Sequence, residues 1–250
     1  MKKLDGEDQQ IVIMIDEFPS TVENIHKKNG SREAIRFLKI NRSICQESAG
    51  GIQFIYTGSI GLPTIVKRLD VPESINDLNV INVPPLSQLE AKNFIEEILD
   101  AAKVPYTIKA IDCLIEKVSW LMPFFIQLSV QELIDLYDQN PKKISIETVD
   151  EAFERICNRR NDVHFESYYN RLKDAFAEED YKIALKILNL IAKENKISKE
   201  NLYKNIDTDY EKQEINSIIE SLEYDGYIYL KDDGYAFNSP ILQLWWNKYM

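Results

Sequence analysis

Three regimes of hydrophobic patterning follow one another along the chain. From Ile11 to Ile15, five consecutive apolar residues without Gly or Pro read as a strand buried on both faces, the habit of a parallel sheet. Asp16-Glu17 end the run; Pro19-Ser20-Thr21 reads as a break and Lys27-Lys28-Asn29-Gly30 as a polar turn. Ser31 stands as an N-cap, with Ala34, Ile35, Leu38 and Ile44 on a helical stripe leading to Gly50-Gly51. A second strand, Gln53-Phe54-Ile55-Tyr56, again runs into small polar residues, Thr57-Gly58-Ser59. Irregular chain is expected through Pro63 and Pro72, then a short strand at Val80-Ile81-Asn82-Val83 before Pro84-Pro85.

Helical periodicity dominates the second regime. Ser87-x-x-Glu90 is a capping box, followed by Leu89, Phe94, Ile98 and Leu99 at helical spacing. Pro105 punctuates, Thr107 caps a helix striped by Ala110, Leu114 and Val118, and Trp120 to Gln127 opens an apolar helix running through Leu133 and Leu136. A helix from Glu147 to about Asn158 follows Ile144-Ser145-Ile146, and Arg159-Arg160 would complement its dipole. His164 to Leu172 reads as a connector. In the third regime, helices are expected from Tyr181 to Glu194, from about Ile197 to Tyr203 and from Glu211 to Tyr224. Asp225-Gly226 closes the last of these, and Tyr227–Leu230 with Tyr235–Phe237 forms a hairpin about Asp232-Asp233-Gly234.

Ligands of open parallel sheets gather beyond the carboxyl ends of the strands, where both runs place their polar residues. A carboxylate such as Asp16 can hold Mg²⁺ through its water shell, and a neighbour such as Glu17 can orient and deprotonate a water. Thr57 and Ser59 reach the same crevice. This arrangement of acidic strand end, helix and strand ending in Thr-Gly-Ser resembles the Walker B and sensor 1 segments of AAA+ ATPases. More narrowly, it resembles the archaeal and bacterial STAND-type ATPases, whose chains continue through a helical lid into a winged helix.

The resemblance implies a predominantly helical chain: an α/β remnant of a parallel P-loop NTPase sheet (1–85), an all-α lid and connector (86–175), and a winged-helix domain (176–250). It implies ATP and Mg²⁺ as cofactors, Asp16 and Glu17 as the Walker B acids, and Thr57 or Ser59 near the γ-phosphate. Phe237 to Trp246 looks like the end of the STAND-type winged helix. Arg42 matches a position where similar ATPases carry arginine, and Arg68 one where an arginine can reach a neighbouring nucleotide; with Arg32, Arg36 and Lys39, Arg42 also reads simply as part of a solvated face. Pro123 and Gln127 fit a Gly-x-Pro element of the lid, but Leu121 stands where glycine is usual.

No Gly-x-x-x-x-Gly-Lys-Ser/Thr occurs in the sequence, so the backbone cradle and lysine that grip phosphates are not supplied by it. Met1-Lys2-Lys3-Leu4 leaves no room for them before the acidic strand. The expectation is therefore the C-terminal portion of an ATPase that does not hydrolyse ATP alone. A non-enzymatic interaction module with inherited motifs is the alternative. The two strands should be adjacent and parallel with exposed edges, which favours self-association or a protein partner.

Composition narrows the remaining choices. Hydrophobic residues make up 44% and charged residues 28% of the 250, ordinary for a globular chain, and no apolar run is long enough to span a bilayer. Cytoplasm is the expected location. Cys45, Cys113 and Cys157 lack paired spacing, and His26 and His164 lack partners at ligand spacing, which argues against disulfides and a zinc site. A net charge of −11 opposes phosphate backbones. The helix from Glu211 carries four glutamates against Lys212, and no arginine follows Arg171, so DNA binding by the winged helix is not expected.

Overall fold

A computed structural model describes residues 11–47, 51–59, 61–157, 161–206 and 210–250. The chain divides into two compact units, one holding residues up to Val80 with Arg171–Tyr181, the other Ile81–Asn170 with Lys182–Met250.

The first unit is built on two parallel strands, β1 (Ile11–Ile15) and β2 (Ile52–Tyr56), in register from Ile11 opposite Ile52 to Ile15 opposite Tyr56. Between them run α1 (Phe18–Asn29) and α2 (Ser31–Glu47). The expected break at Pro19 is instead the first turn of α1, where proline's missing N–H costs nothing and its fixed φ suits the helix. Gly30, at φ +87°, ends α1 and donates its N–H to the His26 carbonyl; Ser31 is already helical and is not a cap. Pro63 likewise sits in the first turn of α3 (Leu62–Arg68), and Pro72 opens a 3₁₀ turn (Pro72–Ile75), so this region is more helical than its prolines suggested.

Two expectations about strands fail. β1 is not buried on both faces: Ile11 to Met14 are all exposed, Met14 by 72%. A two-stranded sheet leaves each strand a single neighbour among the described residues, so only part of the apolar run finds cover. Val80 to Val83 form no strand, and Val83 is 80% exposed. Apolar composition specifies a strand only where a neighbouring strand takes up its hydrogen bonds.

The second unit begins with helices α4 (Gln88–Ala101), α5 (Ile108–Val118), α6 (Pro123–Gln139) and α7 (Ile146–Ile156). The Ser87/Glu90 capping box forms, Ser87 Oγ accepting from the Glu90 N–H at 3.3 Å and the Ser87 N–H donating to Glu90 Oε2 at 2.8 Å. Thr107 caps α5 as expected, accepting from the Ala110 N–H at 3.2 Å. In α4 the buried stripe is Ala91, Ile95 and Leu99, whereas Leu89 is exposed. The expected connector is helical: α8 (Asp162–Ala175) runs through it. Arg159, Arg160, Gly50 and Ile60 lie outside the described residues.

Downstream come α9 (Glu178–Glu194), β3 (Ile197–Ser198), α10 (Lys199–Asn205), α11 (Lys212–Tyr224), β4 (Ile228–Lys231), β5 (Gly234–Phe237) and α12 (Pro240–Tyr249). The strands form an antiparallel sheet in the order β3-β5-β4. The hairpin turns through Asp232 and Asp233, both at positive φ, as a tight two-residue turn between right-twisted strands requires. Buried Trp245 and Trp246 centre the core here, and each indole N–H is satisfied, by Asp162 Oδ1 at 3.2 Å and Asn189 Oδ1 at 2.7 Å. No helix of the described residues is long and apolar enough to cross a membrane.

Candidate functional site

The carboxyl ends of β1 and β2 meet through a short hydrogen-bonded frame. Thr57 donates its N–H to the Ile15 carbonyl, and the Thr57 carbonyl accepts from the Phe18 N–H, each at 3.0 Å. Parallel pairing thereby continues past the strand ends and fixes Asp16 and Glu17 opposite Thr57. Between them the backbone reverses sharply: Glu17 adopts the left-handed conformation at φ +51°, unusual for a residue with a Cβ, and its carbonyl accepts the first helical bond from the Thr21 N–H at 3.0 Å. The turn aims two successive carboxylates at the same strand end.

Each acid is gripped by one oxygen. Asp16 Oδ1 accepts from the Thr57 hydroxyl at 2.5 Å and from the Glu17 N–H at 2.9 Å. Glu17 Oε2 accepts from Ser20 Oγ at 2.7 Å, Ser59 Oγ at 3.0 Å and the Ser59 N–H at 3.4 Å. Asp16 Oδ2 and Glu17 Oε1 accept no hydrogen bond among the described residues. Hydroxyls and amides must donate here, because an ionised carboxylate only accepts. The Thr57 hydroxyl, and then the Glu17 N–H, hold the Asp16 carboxyl below the usual carboxylate range. Asp16 therefore stays anionic at neutral pH with one oxygen open to water.

The structure brings together all four residues singled out in the sequence, in two pairs: Thr57 with Asp16 and Ser59 with Glu17. Ser20 is a fifth member that the pattern missed, because Pro19-Ser20-Thr21 read as a loop. The signal was present as Glu17-x-x-Ser20, a helix N-terminal spacing in which the third helical residue reaches back to the cap.

The arginines are engaged elsewhere. Arg42 donates to the Glu73 carbonyl and lies 3.5 Å from Asp77, which fixes the 3₁₀ turn against α2. Arg68 donates to buried Glu23 and to the carbonyls of Asp174 and Ala175, so its guanidinium is committed inside the first unit. In the second unit Leu121 is buried, with its carbonyl accepting the Leu86 N–H at 3.0 Å, and Pro123 is the first residue of α6; the segment packs as core. Among the described residues no group of three His, Cys, Asp or Glu is placed to hold a metal by itself. A cation at Asp16 would need ligands from water and from its own phosphate, which is how Mg²⁺ is usually held.

No protein-family model and no curated protein matches the sequence. Among solved structures, the chain is similar to the Walker-type ATPase of Pyrococcus abyssi, with a TM-score of 0.63 and 14% identity over 95% of this chain and 63% of that one. It is also similar to the RuvB Holliday-junction branch-migration motor of Thermotoga maritima, with a TM-score of 0.43 and 16% identity over 90% of this chain and 66% of that one. The chain thus spans less than two thirds of the Walker-type ATPase. The first likeness identifies the class of architecture: a predominantly helical, P-loop NTPase-like fold with a small parallel sheet.

Proposed function

We propose that this chain supplies the acid-bearing half of an ATP–Mg²⁺ site in a STAND-like AAA+ regulatory ATPase. Asp16 holds Mg²⁺ through its water shell, Glu17 orients and deprotonates the hydrolytic water, and Thr57 and Ser59 tie both acids to the strand end that faces the γ-phosphate. The observation that carries this reading is the pairing of each acid with a β2-derived hydroxyl while one oxygen of each stays open. Residues 1–85 act as the partial nucleotide core, 86–175 as lid and connector, and 176–250 as a winged helix that turns nucleotide state into an output.

The phosphate-gripping loop is the missing partner of this chemistry, since the sequence contains no Gly-x-x-x-x-Gly-Lys-Ser/Thr. The output is read as protein-facing, through partners or self-association. Lys212 is the only cation of α11, against Glu214, Glu220 and Glu223, which disfavours a groove-reading helix.

The test is an ATPase assay on the longest reading frame that contains this chain. With a phosphate loop present, Glu17→Gln is expected to lower kcat by about 100-fold or more, and Asp16→Ala to weaken Mg²⁺ dependence. Hydrolysis indifferent to both substitutions, or no nucleotide binding by that longer protein, would favour the second reading: a non-enzymatic interaction module in which the exposed apolar face of β1 seats a partner.

A further inference from the structure

We propose that Arg68 is a latch through which the Asp16–Glu17 turn communicates, along α1, with the connector between α8 and α9. The connector, residues 171–181, belongs to the first compact unit, while α8 and α9 both continue into the second. The contacts that hold the connector therefore lie within the first unit.

Three elements converge on the latch. Arg68 is the last residue of α3, and one of its terminal nitrogens donates to Glu23 of α1. The other donates to the carbonyls of Ala175 at 3.0 Å and Asp174 at 3.4 Å, orphan acceptors at the end of α8. A cation there also complements the helix dipole. One turn further along α1 from Glu23, Lys27 lies 2.7 Å from Asp174 Oδ1 and 3.6 Å from Glu23 Oε1. Glu23 and Lys27 thus lie on one face of α1, and Arg68 and Lys27 both reach Asp174.

The pair is costly to leave half-made. Glu23 keeps only 6% of its side-chain exposure and Arg68 21%, so both charges have given up much of their hydration. Buried ion pairs regain little net stability from their attraction, and Arg68 Nε is buried without a partner among the described residues. Breaking it would leave a buried charge uncompensated, so a displacement of Glu23 is passed to Arg68.

The displacement has a source. α1 begins at Phe18, directly after Glu17, and Glu23 lies six residues beyond that acid, roughly 9 Å along a helix that moves as a rod. Glu17 is held at positive φ by bonds from Ser20 and Ser59, a strained arrangement that a ligand competing for the carboxylate would relax. That the competing ligand is a hydrated Mg²⁺–nucleotide rests on the function proposed above; the mechanical link does not.

Hydrogen exchange on the full chain tests the link without nucleotide, in a cycle of wild type, Glu17→Gly, Arg68→Met and the double variant. Arg68→Met should accelerate exchange in 171–181 about tenfold, and Glu17→Gly, which removes the bonds from Ser20 and Ser59, about threefold. The double variant should match Arg68→Met alone, because the path is already cut. Exchange in Pro123–Gln139 serves as the folding control. If Arg68→Met does not fold, Arg68→Lys, which keeps the charge and loses the fork, carries the same cycle. Arg68 variants within twofold of wild type, no effect of Glu17→Gly, or effects that multiply would each overturn the proposal. Hydrolysis indifferent to Glu17→Gln and Asp16→Ala in the longer protein leaves this cycle intact, and a failed cycle leaves the nucleotide reading intact.

Discussion

Phe18 is the side chain on which the geometry of the acid turn depends. It follows Glu17 directly, is only 2% exposed, and places its ring 4.4 Å from Tyr56 and 5.7 Å from Phe37, centroid to centroid. Its N–H also donates to the Thr57 carbonyl, so one residue ties the start of α1 to the end of β2 by backbone and by ring. Truncating a buried phenylalanine costs about 3–5 kcal/mol, the sum of lost transfer energy and the cavity left behind. The lower end, about 3 kcal/mol, is expected for Phe18→Ala, because the thin, partly exposed sheet beside it can relax or admit water. Phe18→Leu keeps most of the volume and should cost about 1.5 kcal/mol. Hydrogen exchange of peptides from α1 and β2 reads the loss locally, and urea unfolding by circular dichroism reads it globally. A loss below about 1 kcal/mol for Phe18→Ala would mean that the aromatic cluster does not hold the turn.

Other expectations follow from single contacts. Thr57→Val should raise the Asp16 carboxyl toward the usual range in an NMR titration, and an unchanged titration would remove Thr57 from the site. Because the folded-state value is depressed, the stability Asp16 contributes is present above its unfolded value and is lost as pH falls through the folded one; Thr57→Val should shrink that acid-side loss. Gly226 closes α11 at φ +78°, and an added Cβ would stand 3.2 Å from the Trp120 ring, so Gly226→Ala should cost about 1–3 kcal/mol by thermal unfolding. A variant as stable as wild type would contradict this packing. Burial pushes the Cys157 thiol up to about 11, so at pH 8 it should react with iodoacetamide far more slowly than in urea, and equal rates would refute its burial.

What the sequence made legible was local and chemical. Both strands, the Ser87 and Thr107 caps and the four polar residues at the strand ends were readable, because short runs and cap residues signal through nearest neighbours. Prolines misled where they open helices, at Pro19 and Pro63, since the residue that breaks a helix interior also suits its first turn. That error hid Ser20. Val80–Val83 failed for the opposite reason: strand character was present in the residues, but a strand exists only with a neighbour, and that is not a local property. The commitment of Arg68 to Glu23, 45 positions away, and to the α8 carbonyls, 106 and 107 positions away, is beyond the reach of any pattern along the chain.

On the proposed reading, these acids serve a nucleotide whose phosphates are gripped by a loop this sequence does not contain. Calorimetric titration of ATP–Mg²⁺ into the chain, with Asp16→Ala alongside, tests it most directly. No saturable heat is expected from either protein, because an acid acting through the water shell of Mg²⁺ cannot by itself retain a nucleotide. Saturable binding that disappears in Asp16→Ala would show that a complete phosphate site forms within this chain, and would contradict the claim.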